Sequence, residues 1–255
     1  MLTIKLAFRN IIGAGLRTWL NVFILSIAFL TIIWVQGVLE GFNKQAMDAM
    51  IDMELGGGQF WYKSYDRYDP LTIEDAHGPV SEALKTLIDT DQATPILITS
   101  GAVFPEGRVQ SVLLKGIDPA QKVIHIPSHI LQTDDTSLIP ALIGSRMARE
   151  TRLKEGSEVT IRWRDIHGTF DAIDIQIAGI MNTTVQSVDN NQIWLPLATL
   201  REMIQAPDQA TLVVLGKNIT YIPKDDALWI YRDLNYLLQD LKEFIRTKSS
   251  GTSIL

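Results

Sequence analysis

The run TWLNVFILSIAFLTIIWVQGVL, Thr18 to Leu39, holds 22 residues and no charged side chain. At about 1.5 Å per residue a helix over it is roughly 33 Å long, enough to cross a hydrocarbon core of about 30 Å once. The averages of the 255-residue chain, 46% hydrophobic and 20% charged, would pass for a soluble protein of one sizeable domain or two small ones, so this run decides the class. A secretory signal shares the basic start and apolar middle. Against it, the apolar stretch is longer than an ordinary signal core, and Val35 to Glu40 offers no small-x-small cleavage site. The run therefore reads as an uncleaved anchor. Lys5, Arg9 and Arg17 precede it, whereas Glu40, Asp48, Asp52 and Glu54 follow, which predicts a cytoplasmic N-terminus and an outside location for residue 40 onward. Asn21, Ser26, Thr31 and Gln36 recur at intervals of five and wind around the helix. They fit either further spans packed around this one or hydration of Asn21 and Gln36 at the two interfaces.

Ahead of the span, Ile4, Ala7, Phe8, Ile11 and Ile12 recur at helical spacing, with Lys5, Arg9 and Asn10 off that stripe. Residues 1–15 are expected to form an amphipathic helix along the cytoplasmic membrane face, with its cations near anionic lipid head groups. Gly13 and Gly15 then allow a turn into a span over residues 16–39. The simpler alternative makes these residues a topology signal only.

Beyond Leu39 the helical pattern runs on through Phe42, Ala46, Met47, Met50 and Met53, predicting a stalk helix over residues 40–55 that stops at Gly56-Gly57-Gly58. Near the other end Leu228, Tyr231, Leu234, Leu238, Leu241 and Ile245 predict a second amphipathic stalk helix over residues 225–248. Between the two, residues 56–224 alternate short strands and helices. Ala93–Phe104 and Arg108–Gly116 read as a hairpin around Pro105-Glu106-Gly107. Val159, Ile161 and Trp163 pair with Ile173, Ile175 and Ile177 across the turn Asp165–Gly168, the strongest hairpin pattern in the chain. Asp118-Pro119 predicts the start of a short helix over Ala120–Val123. Strand-to-helix steps are expected at Leu142–Glu150 and Ile193–Ile204, with a last strand at Thr211–Leu215. The fold class is α+β: one N-terminal membrane helix extending into a stalk, a mixed extracytoplasmic domain and a C-terminal stalk helix.

Several chemistries are disfavoured. The first 39 residues carry +3, which leaves −9 of the net −6 on residues 40–255, and an acidic bulk does not suit a nucleic-acid partner. The absence of cysteine removes disulfides, thiolate metal sites and cysteine nucleophiles. His125 and His129 have the spacing of a helical metal pair, but Pro127 stands between them. Gly216-Lys217 lacks the phosphate-loop pattern, and Ser100 and Ser145 lack a nucleophile elbow. No catalytic residue, metal or cofactor is expected.

Motifs in sequence order carry a family resemblance. Leu6-Ala7-Phe8-Arg9-Asn10 followed by Leu16-Arg17-Thr18 resembles the start of permease subunits of the FtsX/MacB/LolC-LolE group of ABC transporters. Leu114-Lys115-Gly116-Ile117-Asp118-Pro119 resembles that family's Gly-hydrophobic-Asp-Pro step. Ile143-Gly144-Ser145-Arg146-Met147-Ala148, then Leu153 to Val159 with Gly156, resembles its next two steps, and Trp194-Leu195-Pro196-Leu197 resembles its strand-to-helix element. The resemblance implies a MacB-like periplasmic core domain between two membrane helices, in a permease that does not itself hydrolyse ATP. It makes Lys5, Phe8, Arg9, Asn10, Arg17 and Thr18 the candidates for ATPase coupling at the membrane surface. Gly116, Asp118, Pro119, Gly144, Ala148, Gly156, Pro196 and Leu197 become family-type structural positions.

The implied partners are a cytoplasmic ABC ATPase subunit, a second permease subunit or second copy, membrane lipid, and a periplasmic adaptor or lipoprotein carrier, but no nucleic acid. The implied place is the bacterial cytoplasmic (inner) membrane, and the implied task is export or release of a hydrophobic substrate such as a lipoprotein, lipid or drug. The family has three further spans after the outside domain, so residues 249–255 are expected to begin a missing second span and the chain to be the N-terminal part of a longer permease. Gly56-Gly57-Gly58-Gln59-Phe60 departs from the Gly-His-containing stretch of lipoprotein-release relatives, so their substrate is not carried over. The competing reading from another class is a single-span anchored binding or sensor domain that works without an ATPase.

Overall fold

The computed structural model describes residues 5, 9, 13, 15–66, 68–132, 138–183, 185–219, 221–224 and 227–239. The chain divides into two compact units, Met1–Met47 and Asp48–Leu255. An α-helix that begins at Gly15 and ends at Met50 (α1) carries the uncharged run; all but its last three residues belong to the first unit. Among the described residues it is the one helix long and apolar enough to cross a membrane. Its apolar side chains are largely exposed, from Trp19 to Leu39. The Ser26 and Thr31 hydroxyls donate to the carbonyls of Val22 and Ile27, both at 2.8 Å, so neither is left bare in an apolar setting. The amphipathic helix expected over residues 1–15 falls mostly outside the described residues; Lys5, Arg9 and Gly13 are helical.

The second unit is built on a nine-stranded mixed sheet. In chain order its strands are β1 (Gly58–Tyr62), β3 (Ala93–Val103), β4 (Gln110–Ile117), β5 (Ile139–Gly144), β6 (Glu158–Arg164), β7 (Phe170–Met181), β8 (Gln192–Pro196), β10 (Leu212–Leu215) and β11 (Trp229–Asp233). A separate small pair joins β2 (Gly78–Pro79) to β9 (Gln209–Ala210). The spatial order is β11-β1-β10-β3-β4-β8-β5-β7-β6, and β6 pairs back onto β3. Six strands, β3-β4-β8-β5-β7-β6, thus close on themselves, which removes the exposed edge an open sheet would present.

β3 makes this possible because it is long. Its start pairs with β10 (Ala93↔Leu215 to Ile96↔Leu212), and the end of the same strand pairs with β6 (Gly101↔Trp163 to Val103↔Ile161). Thr211 sits at the changeover, buried, with its amide donating to Ile96 O at 2.9 Å and its hydroxyl accepting from the Ile98 amide at 2.9 Å. The hydroxyl replaces the ladder partner that Ile98 loses where β10 leaves.

Alternation sorts the side chains. Leu97, Leu114, Ile143, Ile161, Ile175, Ile177, Ile193 and Leu195 form one core cluster with Met147 and Ala148 of α3 (Ser145–Thr151) and, beyond the one-turn helix α4 (Gln186–Asp189), Leu197 and Leu200 of α5 (Leu197–Met203). On the opposite face Ile96, Ile98, Ile117, Leu142, Trp194, Leu212 and Val214 form a second cluster, which takes in Ala49, Met50, Met53 and Trp61. A third joins Phe60, Val213, Leu215 and Trp229 to Leu84 and Leu87 of α2 (Glu82–Asp89). Because β10 is covered on both faces, Leu212 to Leu215 is apolar throughout, without alternation.

The 93–117 and 159–177 hairpins and the 142–150 and 193–204 strand-to-helix steps occur as expected. Two expectations are corrected. Residues 120–123 form no helix: Asp118 Oδ1 accepts from the Ala120 amide at 2.8 Å, and the Asp118 carbonyl accepts from Gln121, closing a turn. An aspartate side chain that bonds two residues ahead favours such a turn as readily as a helix start. The helix expected from residue 225 is a strand over Trp229–Asp233, paired with all of β1. Leu228 and Tyr231 fit a helical stripe, but Trp229, Tyr231 and Asp233 equally share one side of a strand. The strand reading wins because it buries Trp229, whose Nε1 donates to Pro79 O at 3.0 Å, and sets Tyr231 against Phe60 at 5.0 Å between ring centroids. Burial, then the Asp233 carboxylate, raises the Tyr231 phenol above its ordinary value. Helix resumes over 234–239, and the rest of the expected stalk helix lies outside the described residues.

Candidate functional site

The α1 helix does not end in solvent. Its last residues, Ala49 and Met50, lie in the second core cluster, and the chain continues as a π-helical turn, Ile51–Leu55. A π turn holds one more residue than an α turn, is rare, and is frequently found at functional sites. Here it ends at Gly56, whose amide donates to Ile51 O at 2.8 Å and whose φ of 61° lies in the left-handed region. A Cβ at Gly56 would stand 2.3 Å from Leu215 O, so only glycine lets the turn lie this close to β10.

Five separate pieces of the unit grip this turn. Lys115 of β4 reaches Glu54 Oε1 with Nζ at 3.2 Å, and its side chain is 7% exposed against 23% for Glu54. The same Nζ lies 4.9 Å from the ring centroid of the buried Trp194. Gln59 of β1, itself buried, donates from Nε2 to the Glu54 carbonyl and accepts from Trp61 Nε1, each at 2.8 Å. The His125 amide donates to Asp52 O at 2.8 Å, while its Nδ1 stands 3.7 Å from the Asp52 carboxylate. Lys217 pairs with that same carboxylate. Thr183 donates to Met53 Sδ at 2.8 Å. Asp52 and Glu54, two residues apart, thus meet cations from the turn after β10 and from β4. None of these contacts positions a nucleophile against a base. The arrangement ties the end of a helix to several strands and loops of the sheet.

This joint was not among the residues singled out from sequence. A signal existed: Lys115 is the only charged residue in the apolar strand from Val112 to Ile117, and a lysine there needs a carboxylate from elsewhere. Which carboxylate is a matter of the fold.

The family-type positions serve packing. Gly116 lies under α5, where a Cβ would stand 3.1 Å from Leu200 Cβ, and in the parallel ladder the next residue, Ile117, faces Pro196, which precedes Leu197 at the start of that helix. Leu197 and Ala148 both lie in the first core cluster. Pro119 O accepts from Ser128 at 3.2 Å, and with Asp118 it shapes the turn after β4. Gly144 meets the backbone of Asp189, where a Cβ would lie 2.4 Å from its Cα. That approach lets Asp189 Oδ1 accept from the Arg146 amide at 3.0 Å and from Ser145 Oγ at 3.2 Å, capping α3 from across the fold. Gly156 turns with φ of 81°, and its amide donates to Ile177 O at 2.7 Å. So Gly116, Pro196 and Leu197 come together, Gly144 and Ala148 flank a second helix start, and Gly156 stands apart.

Of the membrane-surface residues, Lys5 and Arg9 are helical and exposed, and Thr18 is half-buried in α1. Phe8 and Asn10 lie outside the described residues, and Arg17 lies on α1. His125 faces Asp52, and His129 sits in the 3-10 turn Ser128–Leu131 behind Pro127.

Among curated proteins no sequence matches. Similar solved structures include the periplasmic region of MacB from Actinobacillus actinomycetemcomitans, at 9% identity and a TM-score of 0.47 over 78% of this chain and 98% of that one. Another is the extracellular domain of the noncanonic ABC-type transporter YknZ from Gram-positive bacteria, at 13% identity and 0.39 over 64% and 84%. A domain of a putative permease from Porphyromonas gingivalis follows at 12% and 0.30 over 51% and 56%. The family model of the MacB-like periplasmic core domain matches residues 18–227, and the chain therefore belongs to that family.

Proposed function

We propose that the chain is the membrane-anchored, extracytoplasmic part of an ABC-transporter permease, in which residues 18–39 span the cytoplasmic membrane with the N-terminus inside. Movements of a cytoplasmic ATPase travel along α1 and reach the sheet through the turn Ile51–Leu55. The carrying observation is the grip on that turn, above all the Lys115–Glu54 pair, because a helix end tied to several strands moves them instead of sliding past. Family membership supports the transporter reading. The domain works mechanically, ATP is hydrolysed on a separate subunit, and the cargo is hydrophobic: a lipoprotein, a lipid or a drug. A second permease copy or subunit completes the membrane part, with a periplasmic adaptor or lipoprotein carrier outside.

The test co-expresses the protein with a candidate ABC ATPase subunit. Arg9→Glu combined with Phe8→Asp should abolish ATPase co-purification and any stimulation of its turnover, while the near-ultraviolet circular dichroism of the outside domain stays unchanged. Full retention of the ATPase by the double variant would return residues 1–15 to a topology signal. Failure of any ATPase to associate with the wild type would favour an anchored binding or sensor domain.

A further inference from the structure

Strand β8, which pairs with the strand that carries Lys115, holds two buried polar atoms with no hydrogen-bond partner, Trp194 Nε1 and Gln192 Oε1. One is a donor and the other an acceptor. Both belong to β8, two residues apart, so their side chains leave the same face. Lys115 and Trp194 face each other across the parallel β4–β8 ladder, and Leu113 faces Gln192. On the neighbouring strand the unpartnered donor thus lies directly opposite the lysine that holds Glu54, and the acceptor lies diagonal to it on the same face.

Buried polar groups are ordinarily bonded, and each exception asks for a reason. A carboxylate that leaves an ammonium needs a donor, and the ammonium left behind needs an acceptor. Trp194 Nε1 is such a donor, and Gln192 Oε1 such an acceptor. The acidic partner also sits on an element that can travel: Glu54 belongs to the π turn, which can relax to an α turn by releasing its surplus residue, and three glycines, Gly56 to Gly58, follow it.

We infer that the Glu54–Lys115 pair is a latch with a second, pre-built arrangement. In that arrangement Glu54 accepts from the Trp194 indole, Lys115 donates to Gln192, and the turn Ile51–Leu55 is α-helical. The structure holds the closed form. The exchange gives each charge of the Glu54–Lys115 bond a new polar partner, so the open form is not left with bare buried charges, which would otherwise forbid it. This deepens the proposed function, on which its biological use rests, by placing a two-state element at the end of the transmitting helix. The latch itself needs no ATPase to be observed.

The experiment follows the indole N–H signals of the whole chain, labelled with nitrogen-15 and held in lipid nanodiscs. The chain has six tryptophans, and Trp194→Phe identifies the signal in question. In the wild type the Trp194 N–H should show two forms in exchange, the minor one shifted downfield as for a hydrogen-bonded indole. Lys115→Met removes the closed form and should make the bonded position the major one, whereas Glu54→Gln should shift the ratio by severalfold. Removing Ile51 shortens the turn by its surplus residue and should give the bonded signal alone; if that variant does not fold, the two point substitutions decide. A single Trp194 signal, unmoved by Glu54→Gln and Lys115→Met, would overturn the latch and leave both atoms to buried waters. That result would not touch the permease reading, and loss of the ATPase partner would not touch the two indole signals.

Discussion

Glu54 and Lys115 show what one residue costs in this fold. Lys115 is almost fully enclosed, and removing its acid leaves an ammonium in a cluster of isoleucine, leucine and tryptophan. Breaking a buried pair from one side costs about 3 to 5 kcal/mol, whereas replacing both partners by neutral groups of similar volume is often neutral. Glu54→Gln should therefore destabilise the outside unit by about 3 kcal/mol, the low end because Glu54 retains some water contact. The double variant Glu54→Gln with Lys115→Met should regain most of that loss. Urea unfolding followed by tryptophan fluorescence reads both, and a loss below about 0.5 kcal/mol in the single variant would show the pair to be energetically idle.

At the scale of elements, the β6–β7 hairpin is the best-specified part of the chain. Val159, Ile161 and Trp163 face the first core cluster and alternate with polar residues, and Asp165 Oδ1 accepts from the His167 and Thr169 amides at 2.9 and 2.7 Å to close the turn. Pattern and turn chemistry agree, so the register has no good competitor. Ile175 is fully buried where β7 changes partner from β6 to β5. Ile175→Ala should cost about 2 to 5 kcal/mol, measured as a lower urea midpoint with an unchanged slope. A loss below about 1 kcal/mol would mean that the site collapses to fill the cavity.

For the whole molecule, the separate strand β11 changes where the outside domain ends. A fragment from Phe60 to Pro223 omits β11 and exposes the edge of β1, together with Phe60 and the pocket that holds Trp229. An unpaired, apolar edge invites association. That fragment should aggregate, whereas one from Asp48 to Gln239, which keeps β11 and the joint, should be monomeric in size-exclusion chromatography. Monomeric behaviour of both would make β11 dispensable. Topology is a second property of the whole chain. The three cations before the span and the acids after it predict that protease added to spheroplasts removes residues beyond about Leu55 and spares Met1 to Arg17. A protected outside domain would reverse the orientation.

The sequence by itself determined the local features: the apolar helix, both hairpins, the strand-to-helix steps at Gly144 and Pro196, and the stop at Gly56. Each depends on residues close in the chain, where periodicity, glycine and turn chemistry act directly. Only the tertiary structure decided the rest. Whether residues 229–233 become helix or strand depends on β1, about 170 residues earlier in the sequence, offering an open edge. Asp118 could begin a helix or close a turn, and the packing after β4 selects the turn. The closed sheet arises because one strand, β3, serves two partners along one edge, a pairing no local pattern encodes. The joint is the extreme case. Asp52 and Glu54 look like ordinary acids after a membrane span, and they acquire their meaning from Lys217 and Lys115, brought to them by strands far along the chain. A charge in a strand announces that it needs a partner, but only long-range packing in a low-dielectric interior chooses which one.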